Sequence, residues 1–475
     1  MATGLGYATK AAWRMAGPAT AWGSIVQATC GSYHKIPYKS ESLSENYGWL
    51  NQDVLDGSQG RSTMNHVSIL PNGNLELQGS YLGLGPIIAC CMGYERVRSL
   101  TILESPDYYA VTTGTASGGA AGTLIDTGAG WVVNAYAGMY VRNEELAASD
   151  NSGNIGVRRI VSNTEDTLTV TPDWTTAPDN GDSYTIGAVF AHQYEMAKNM
   201  HQELASDIIT TEDAWKNAAY ITRVGTLLID KGVQVWEWER CMVESIEFKL
   251  NQDGLMVTAE LIPYLRDITP GVTDSSVWKY HALQDTAYAG GIILKPNRVL
   301  RGDATFTIGD FSTSSDGRAA LGISEFTLKI KNNLDTETQT TATGKYRAEP
   351  VRNGKREVTG SLAVPRYTST TLQGKLAAGT MQMAGLSFVG PEISTPGADT
   401  EVLLIQMRSF LLEKGESPVS GAQALDEKYN FKCFAPDGNP SGFLSESAGS
   451  DNSEVIILNT NADPFNAFMG QDTTT

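Results

Sequence analysis

The chain has 475 residues, 41% of them apolar, and its 53 acidic against 35 basic side chains give a formal net charge of −18. That length leaves room for about three domains with real cores, and that charge argues against adhesion to nucleic acid, which needs Lys and Arg on phosphates. No apolar run approaches the roughly 20 residues that span a bilayer, and no unbroken apolar core opens Met1–Thr20 as a secretory leader requires.

Residues 1–32 are small, Gly- and Ala-rich and weakly patterned, and read as an N-terminal arm. Residues 33–109 open a first unit: Val67, Ile69, Leu75 and Leu77 flank the turn chemistry of Pro71–Asn72–Gly73. The nearly continuous apolar run Leu84–Met92, with Pro86 in its first turn, predicts a buried helix. Residues 110–190 read as an inserted small β domain rich in Gly, Ala, Thr and Asp, with strands near Met139–Val141, Arg158–Val161, Leu168–Val170 and Ser183–Ile186. Insertions are tolerated at exposed loop tips, so an outward-facing position is expected.

The first unit resumes over residues 191–270. Tyr194–Ala205 is expected to be helical, and Gly225–Asp230 with Val233–Trp238 reads as a hairpin around Lys231–Gly232. Ile246, Phe248 and Leu250, then Leu255, Val257, Ala259 and Leu261, alternate with polar residues on either side of Asp253–Gly254, a strong hairpin signal. Residues 271–300 form a linker, 301–440 a second unit, and 441–475 an acidic C-terminal extension containing one apolar strand at Val455–Leu458. In the second unit Phe326, Leu328 and Ile330 alternate with Thr327, Lys329 and Lys331, as in a half-buried antiparallel strand.

Two distant stretches read as copies of one β unit. One runs through Asn74–Ser80 into Leu84–Met92, the other through Arg356–Leu362 into Ser369–Ala378. Each follows an extended polar segment, Ser40–Asp56 and Leu328–Arg347, and each precedes an alternating strand, Val243–Leu250 and Tyr429–Phe434. Such duplication without a catalytic motif suits a building block.

The chain shows no phosphate loop, nucleophile elbow or dinucleotide fingerprint. His192 and His201 share a stretch with Glu195 and Glu203, but not at the spacing of a zinc protease. Neither a catalytic residue, a cofactor nor a metal is expected. The five cysteines lack paired spacing and fit a reducing compartment; Cys90 and Cys91 lie in an apolar run as small hydrophobes. Arg301–Gly302–Asp303 reads as a turn entering a strand. Trp236 and Trp238 share one sheet face; a packed interface or a carbohydrate platform are both open, so an adhesive or carbohydrate-binding surface protein is the competing class.

The order Phe326–Leu334, Tyr346–Pro350 and Arg356–Ser361, with Ser40–Leu43 leading to Gly73–Leu77 and Ile229–Val233 leading to the hairpin at 244–262, resembles the tail tube (major tail) proteins of long-tailed bacteriophages of the siphovirus type. The resemblance covers roughly residues 30–105 and 220–440. It implies a mainly β fold: two tandem β-sandwich or half-barrel units, each with a flanking helix, plus the inserted β domain. It implies a non-enzymatic virion protein, made in the host bacterial cytoplasm, whose rings stack into a tail tube for DNA. Two units per chain favour a trimeric ring with pseudo-sixfold symmetry; a hexamer is the alternative. The implied partners are further copies, tail terminator, tail tip and tape measure proteins, and DNA passing through the lumen without specific binding, with no membrane. Glu41, Glu45, Asp53, Asp56, Asp335, Glu337, Lys345 and Arg347, on the two polar arms, are the candidates for contacts between stacked rings.

Overall fold

The computed structural model describes residues 10–15, 34–51, 64–81, 83–98, 112–136, 140–143, 157–171, 173–174, 176–187, 190–196, 224–231, 235–267, 297–335, 346–347, 350, 353–365, 371–392, 400–416, 427–444 and 453–461. The chain is mainly β, with two α-helices among these residues. It starts with β1 (Lys10–Met15), β2 (His34–Lys35), β3 (Tyr38–Glu41), β4 (Tyr47–Asn51), β5 (Met64–Ile69), β6 (Gly73–Gln78), α1 (Gly85–Met92) and β7 (Gly93–Arg98). Six strands then close a barrel: β8 (Thr112–Ala120), β9 (Thr123–Ile125), β10 (Tyr140–Asn143), β11 (Val157–Asn163), β12 (Thr167–Thr171) and β13 (Asn180–Gly187). The chain returns through β14 (Phe190–Met196), β15 (Val224–Asp230), β16 (Val235–Asn251), β17 (Gly254–Ile262) and β18 (Leu265–Asp267). The remainder is β19 (Ala304–Asp310), β20 (Ala319–Ala320), β21 (Glu325–Lys331), β22 (Glu357–Val364), α2 (Thr371–Ala378), β23 (Gln382–Glu392), β24 (Thr400–Glu416), β25 (Glu427–Cys433) and β26 (Val455–Asn461).

The ladders repeat themselves. Outside the barrel, the strands of the first half lie in the order β2-β1-β15-β16-β17-β6-β3, and those of the second in the order β20-β19-β23-β24-β25-β22-β21, every neighbour antiparallel. Even the bulges coincide. β16 slips against β17 between Val243 and Ser245, and β24 slips against β25 between Leu412 and Lys414. Bulges bend a strand at a fixed place, so their match equates the two long strands residue by residue. The ladders then equate Gly73 with Gly360, and β25 with β17 rather than with Val243–Leu250. Both glycines answer one demand. A Cβ on Gly73 would meet the Ser42 carbonyl oxygen at 2.6 Å, and one on Gly360 the Thr327 carbonyl oxygen at 2.4 Å.

Each β6 or β22 strand leads into a helix that ends on a left-handed glycine, Gly93 at φ 85° and Gly379 at φ 63°. The helices differ in cover. All eight residues of α1 are buried, because it packs against β1, β7, β14, β15 and β16, whereas α2 buries only Leu372 and packs on β24. The difference comes from the insertion after α1. β7 and β14 pair with one another, β14 pairs on with β26, and β26 with β24, so the detour widens the sheet of the second half. The barrel departs and returns at neighbouring strand ends, where Arg98 lies opposite Ala191. It has its own core of Leu124, Trp131, Val141, Ile160, Leu168 and Ile186.

Two sequence expectations are corrected. Lys10–Met15, inside the stretch read as an arm, is a sheet strand, and buried Trp13 anchors it. The segment expected as a helix from Tyr194 begins in strand β14, since ladder partners on both edges outweigh local helix preference; 197–205 lie outside the described residues. The apolar strand expected at Val455–Leu458 lies within β26, which sits between β24 and β14 with Val455, Ile456, Ile457 and Leu458 buried.

Candidate functional site

The two halves meet along one strand pair. The C-terminal half of β16 carries β17 on one edge and β21 on the other, with Ile246 opposite Ile330 and Phe248 opposite Leu328. All four side chains are buried, because alternation sends every second residue of both strands into the shared core. The outward pair Glu247 and Lys329 adds opposite charges across the strands.

At the end of this seam sits a polar knot. Asn332 is fully buried; its side-chain amide donates to the carbonyls of Cys91 at 3.1 Å and Val243 at 2.9 Å, and its oxygen accepts from Arg356 Nε at 3.0 Å. The Leu334 amide donates to Glu244 Oε2 at 2.7 Å. Burial raises the Glu244 carboxyl, and the Leu334 hydrogen bond opposes the rise. Burial also pushes the Cys91 thiol up to about 12. Satisfied buried polar groups of this kind fix one arrangement of the elements they join.

The candidate arm residues separate into three groups. Glu41 lies at the end of β3, where its carboxylate accepts from Lys231 Nζ at 2.5 Å and from the Leu43 amide at 2.6 Å. Glu45 pairs with Arg266 and accepts from the Tyr47 hydroxyl at 2.7 Å. Arg347 is 1% exposed; burial lowers its pKa and the Asp335 carboxylate raises it. Asp53, Asp56, Glu337 and Lys345 lie outside the described residues. The first arm begins as the two-stranded β4–β5 sheet, with Tyr47 and Trp49 exposed, and its base touches the second arm where Ile69 bridges Tyr346.

The two tryptophans make no flat shared platform. Trp238 is fully buried, Trp236 stands edge-on to it with 6.4 Å between centroids, and Lys231 Nζ covers the Trp236 ring at 3.6 Å. Sequence periodicity put both on one face but could not reveal the cations over them. Arg301–Asp303 is a single 3₁₀ turn leading into β19. Among the described residues no group of three or more His, Cys, Asp and Glu could hold a metal ion.

The seam strands also leave two edges. β3, the counterpart of β21, pairs with β6 alone among the described strands. The end of β24, the counterpart of the seam half of β16, pairs past Phe410 with β25 alone among the described strands, and Glu413–Glu416 are exposed. Sequence reasoning missed both edges, since an edge is a property of the partner's absence and not of the strand's own pattern.

A family model described as phage tail tube protein matches residues 11–433 of the chain. No curated protein matches it.

Proposed function

The chain belongs to the phage tail tube protein family, structural proteins of the virion tail, and from that premise we propose that three copies close into a ring with pseudo-sixfold symmetry. Rings stack into the tube that carries DNA from capsid to host in a siphovirus-type tail. The observation that carries the ring size is the repetition of one seven-strand order, with matching bulges, in both halves of the chain. Two equivalent units in one chain make three chains supply six positions, whereas a ring of six chains would supply twelve.

The role is mechanical rather than catalytic. The arms reach the next ring: the β4–β5 hairpin with Tyr47 and Trp49, and the segment from Asp335 to Arg347, supply contacts between stacked rings, with Asp53, Asp56, Glu337 and Lys345 on them. The acidic balance favours a lumen that repels phosphate and lets DNA slide. The barrel of residues 112–187 decorates the exterior. Copies made in the host cytoplasm join tail terminator, tail tip and tape measure proteins.

Electron microscopy of the purified chain at high concentration tests this reading. Hollow stacked rings of three chains support it; rings of six chains sink the ring size, and compact monomers at every concentration sink the tube.

A further inference from the structure

We infer that Arg266 joins the two arms of one chain into a single contact element, so that each chain offers the next ring one joined contact instead of two separate ones. This rests on the arm reading in the function proposed above, and it names the residue that positions both arms.

The joint is built on β18. Its backbone runs along the N-terminal half of β16, with Arg266 opposite Trp238 and Leu265 opposite Glu239. The Tyr264 amide extends the ladder by donating to the Glu239 carbonyl at 2.9 Å. Tyr264 and Arg266 stand two residues apart on an extended segment, so they project from the same face. Each reaches a different arm. Arg266 pairs with Glu45 of the first arm. The same Glu45 oxygen accepts from the Tyr47 hydroxyl at 2.7 Å, and the Tyr47 ring lies 6.4 Å from that of Trp49. Tyr264 packs on Tyr346 of the second arm with 5.2 Å between ring centroids. The arms also touch directly where Ile69, the ladder partner of Tyr47, bridges Tyr346. These contacts close a circuit from Arg266 through Glu45, Tyr47, Ile69 and Tyr346 back to Tyr264. Coupling between two elements is carried by packed side chains and ion pairs in such continuous contact.

Arg266 is seated as a fixed post. Its guanidinium lies 4.5 Å from the centre of the Trp236 ring and 5.8 Å from that of fully buried Trp238. Cation–ring contacts strengthen as water is excluded. The Arg266 and Glu45 side chains are 19% and 14% exposed, so salt screens them less than it screens a surface pair. Lys231 stands over the same Trp236 ring at 3.6 Å and holds Glu41 of the first arm. One indole thus seats both cations that grip that arm.

The joint belongs to the first repeat alone. The matching bulges equate Trp238 with Met407, so Arg266 corresponds to Val455 of β26, which lies opposite Met407. Val455 is apolar and fully buried, and supplies no charge for an arm. Two equivalent repeats therefore share one joint. In the ring proposed above, the joined contacts number three where the sheet positions number six.

Hydrogen exchange of the dissociated chain tests the coupling from both sides. Arg266→Met keeps an apolar stem on Trp236 and removes the charge. It is expected to speed exchange on the order of tenfold in residues 47–51 of the first arm and also at Tyr346 and Arg347 of the second, with residues 246–250 at the seam unchanged. Arg266→Lys is expected to recover part of the protection. Tyr264→Leu is expected to carry the effect the other way, from Tyr346 to residues 47–51. Faster exchange confined to the arm that each substituted residue touches overturns the joint, as does unchanged exchange in both arms. Lost protection at the seam as well would mark general unfolding and overturn the positioning role. Electron microscopy of native tubes needs no variant. Density linking adjacent rings at three places per ring supports the inference, and six equal places overturn it while the tube stands. Arg266→Met is expected to form rings that do not extend into long tubes; tubes of native length overturn its part in stacking. Absence of rings from the native chain overturns the tube reading, whereas exchange in the dissociated chain still decides whether the arms are joined.

Discussion

The side-chain amide of Asn332 stands 2.9 Å from the carbonyl oxygen of Val243, and this contact ties the second repeat to the long strand of the first. Replacing Asn332 by Leu removes the amide bonded to the carbonyls of Cys91 and Val243, two fully buried residues, and takes one hydrogen bond from half-buried Arg356. Each buried polar group left without a partner costs about 1–3 kcal/mol, so a loss of about 2–4 kcal/mol is expected after partial relaxation. Urea unfolding of the dissociated chain measures it, and an unchanged midpoint would show that the knot does not hold the halves.

Gly225 and Trp13 make the second prediction. A Cβ on Gly225 would fall 2.2 Å from Cε2 and Cζ2 of the Trp13 ring. Gly225→Ala is therefore expected to displace Trp13, cost about 1–3 kcal/mol as overpacking does, and free β1 from β15. Limited proteolysis near the N-terminus should accelerate; native-like resistance would contradict the packing.

Alkaline pH supplies the third. Cys91, Cys241 and Cys433 are buried, and burial raises each thiol, Cys91 to about 12 and the other two well above the ordinary range. The folded state holds these protons more tightly than the unfolded state, whose thiols ionise near about 8.5. Their contribution to stability is complete below that value and disappears as pH rises toward and through about 12. Thermal unfolding should shift little between neutral pH and the unfolded thiol range and fall steadily above it. Replacing the three thiols by Ala should flatten the fall; a fall of unchanged slope would assign it to other groups.

The barrel makes the fourth. Because β7 and β14 pair with Arg98 opposite Ala191, residues 99–189, which include the barrel, can be exchanged for a short turn that closes a hairpin. The shortened chain is expected to keep the far-ultraviolet signature of the main sheet and to assemble. A chain that unfolds or aggregates would show that the barrel supports the sheet it interrupts.

Much of the sheet was legible in the sequence because alternation declares itself locally. The hairpin around Asp253–Gly254 and the run from Phe326 to Lys331 lie where their period of two puts them. The helix Gly85–Met92 was legible from an unbroken apolar run with Pro86 at its start. β14 was not, since His192, Gln193 and Glu195 are polar residues buried in a central strand, and only the neighbours β7 and β26 explain their place. The repeat was visible as strand followed by helix, yet its true register was hidden. Gly73 and Gly360 are matched by the close approach of the preceding strand, not by the residues beside them. Of the arm candidates, the charges of Glu41, Glu45 and Arg347 were plain, but their engagement with Lys231, Arg266 and Asp335 depends on chain segments far away.

The β16–β21 seam also bears on how such a structure would begin. Joining two repeats in one polypeptide makes every second junction of a closed circle immune to dilution, since its two surfaces never separate beyond the reach of their shared chain. Fewer free bodies must then collide to start a ring, and the concentration threshold for nucleation falls accordingly. The tether fixes order as well: because the barrel accompanies only the first repeat, decorated and bare positions would have to alternate around the circle, leaving the outer surface with half the rotational symmetry of its inner wall.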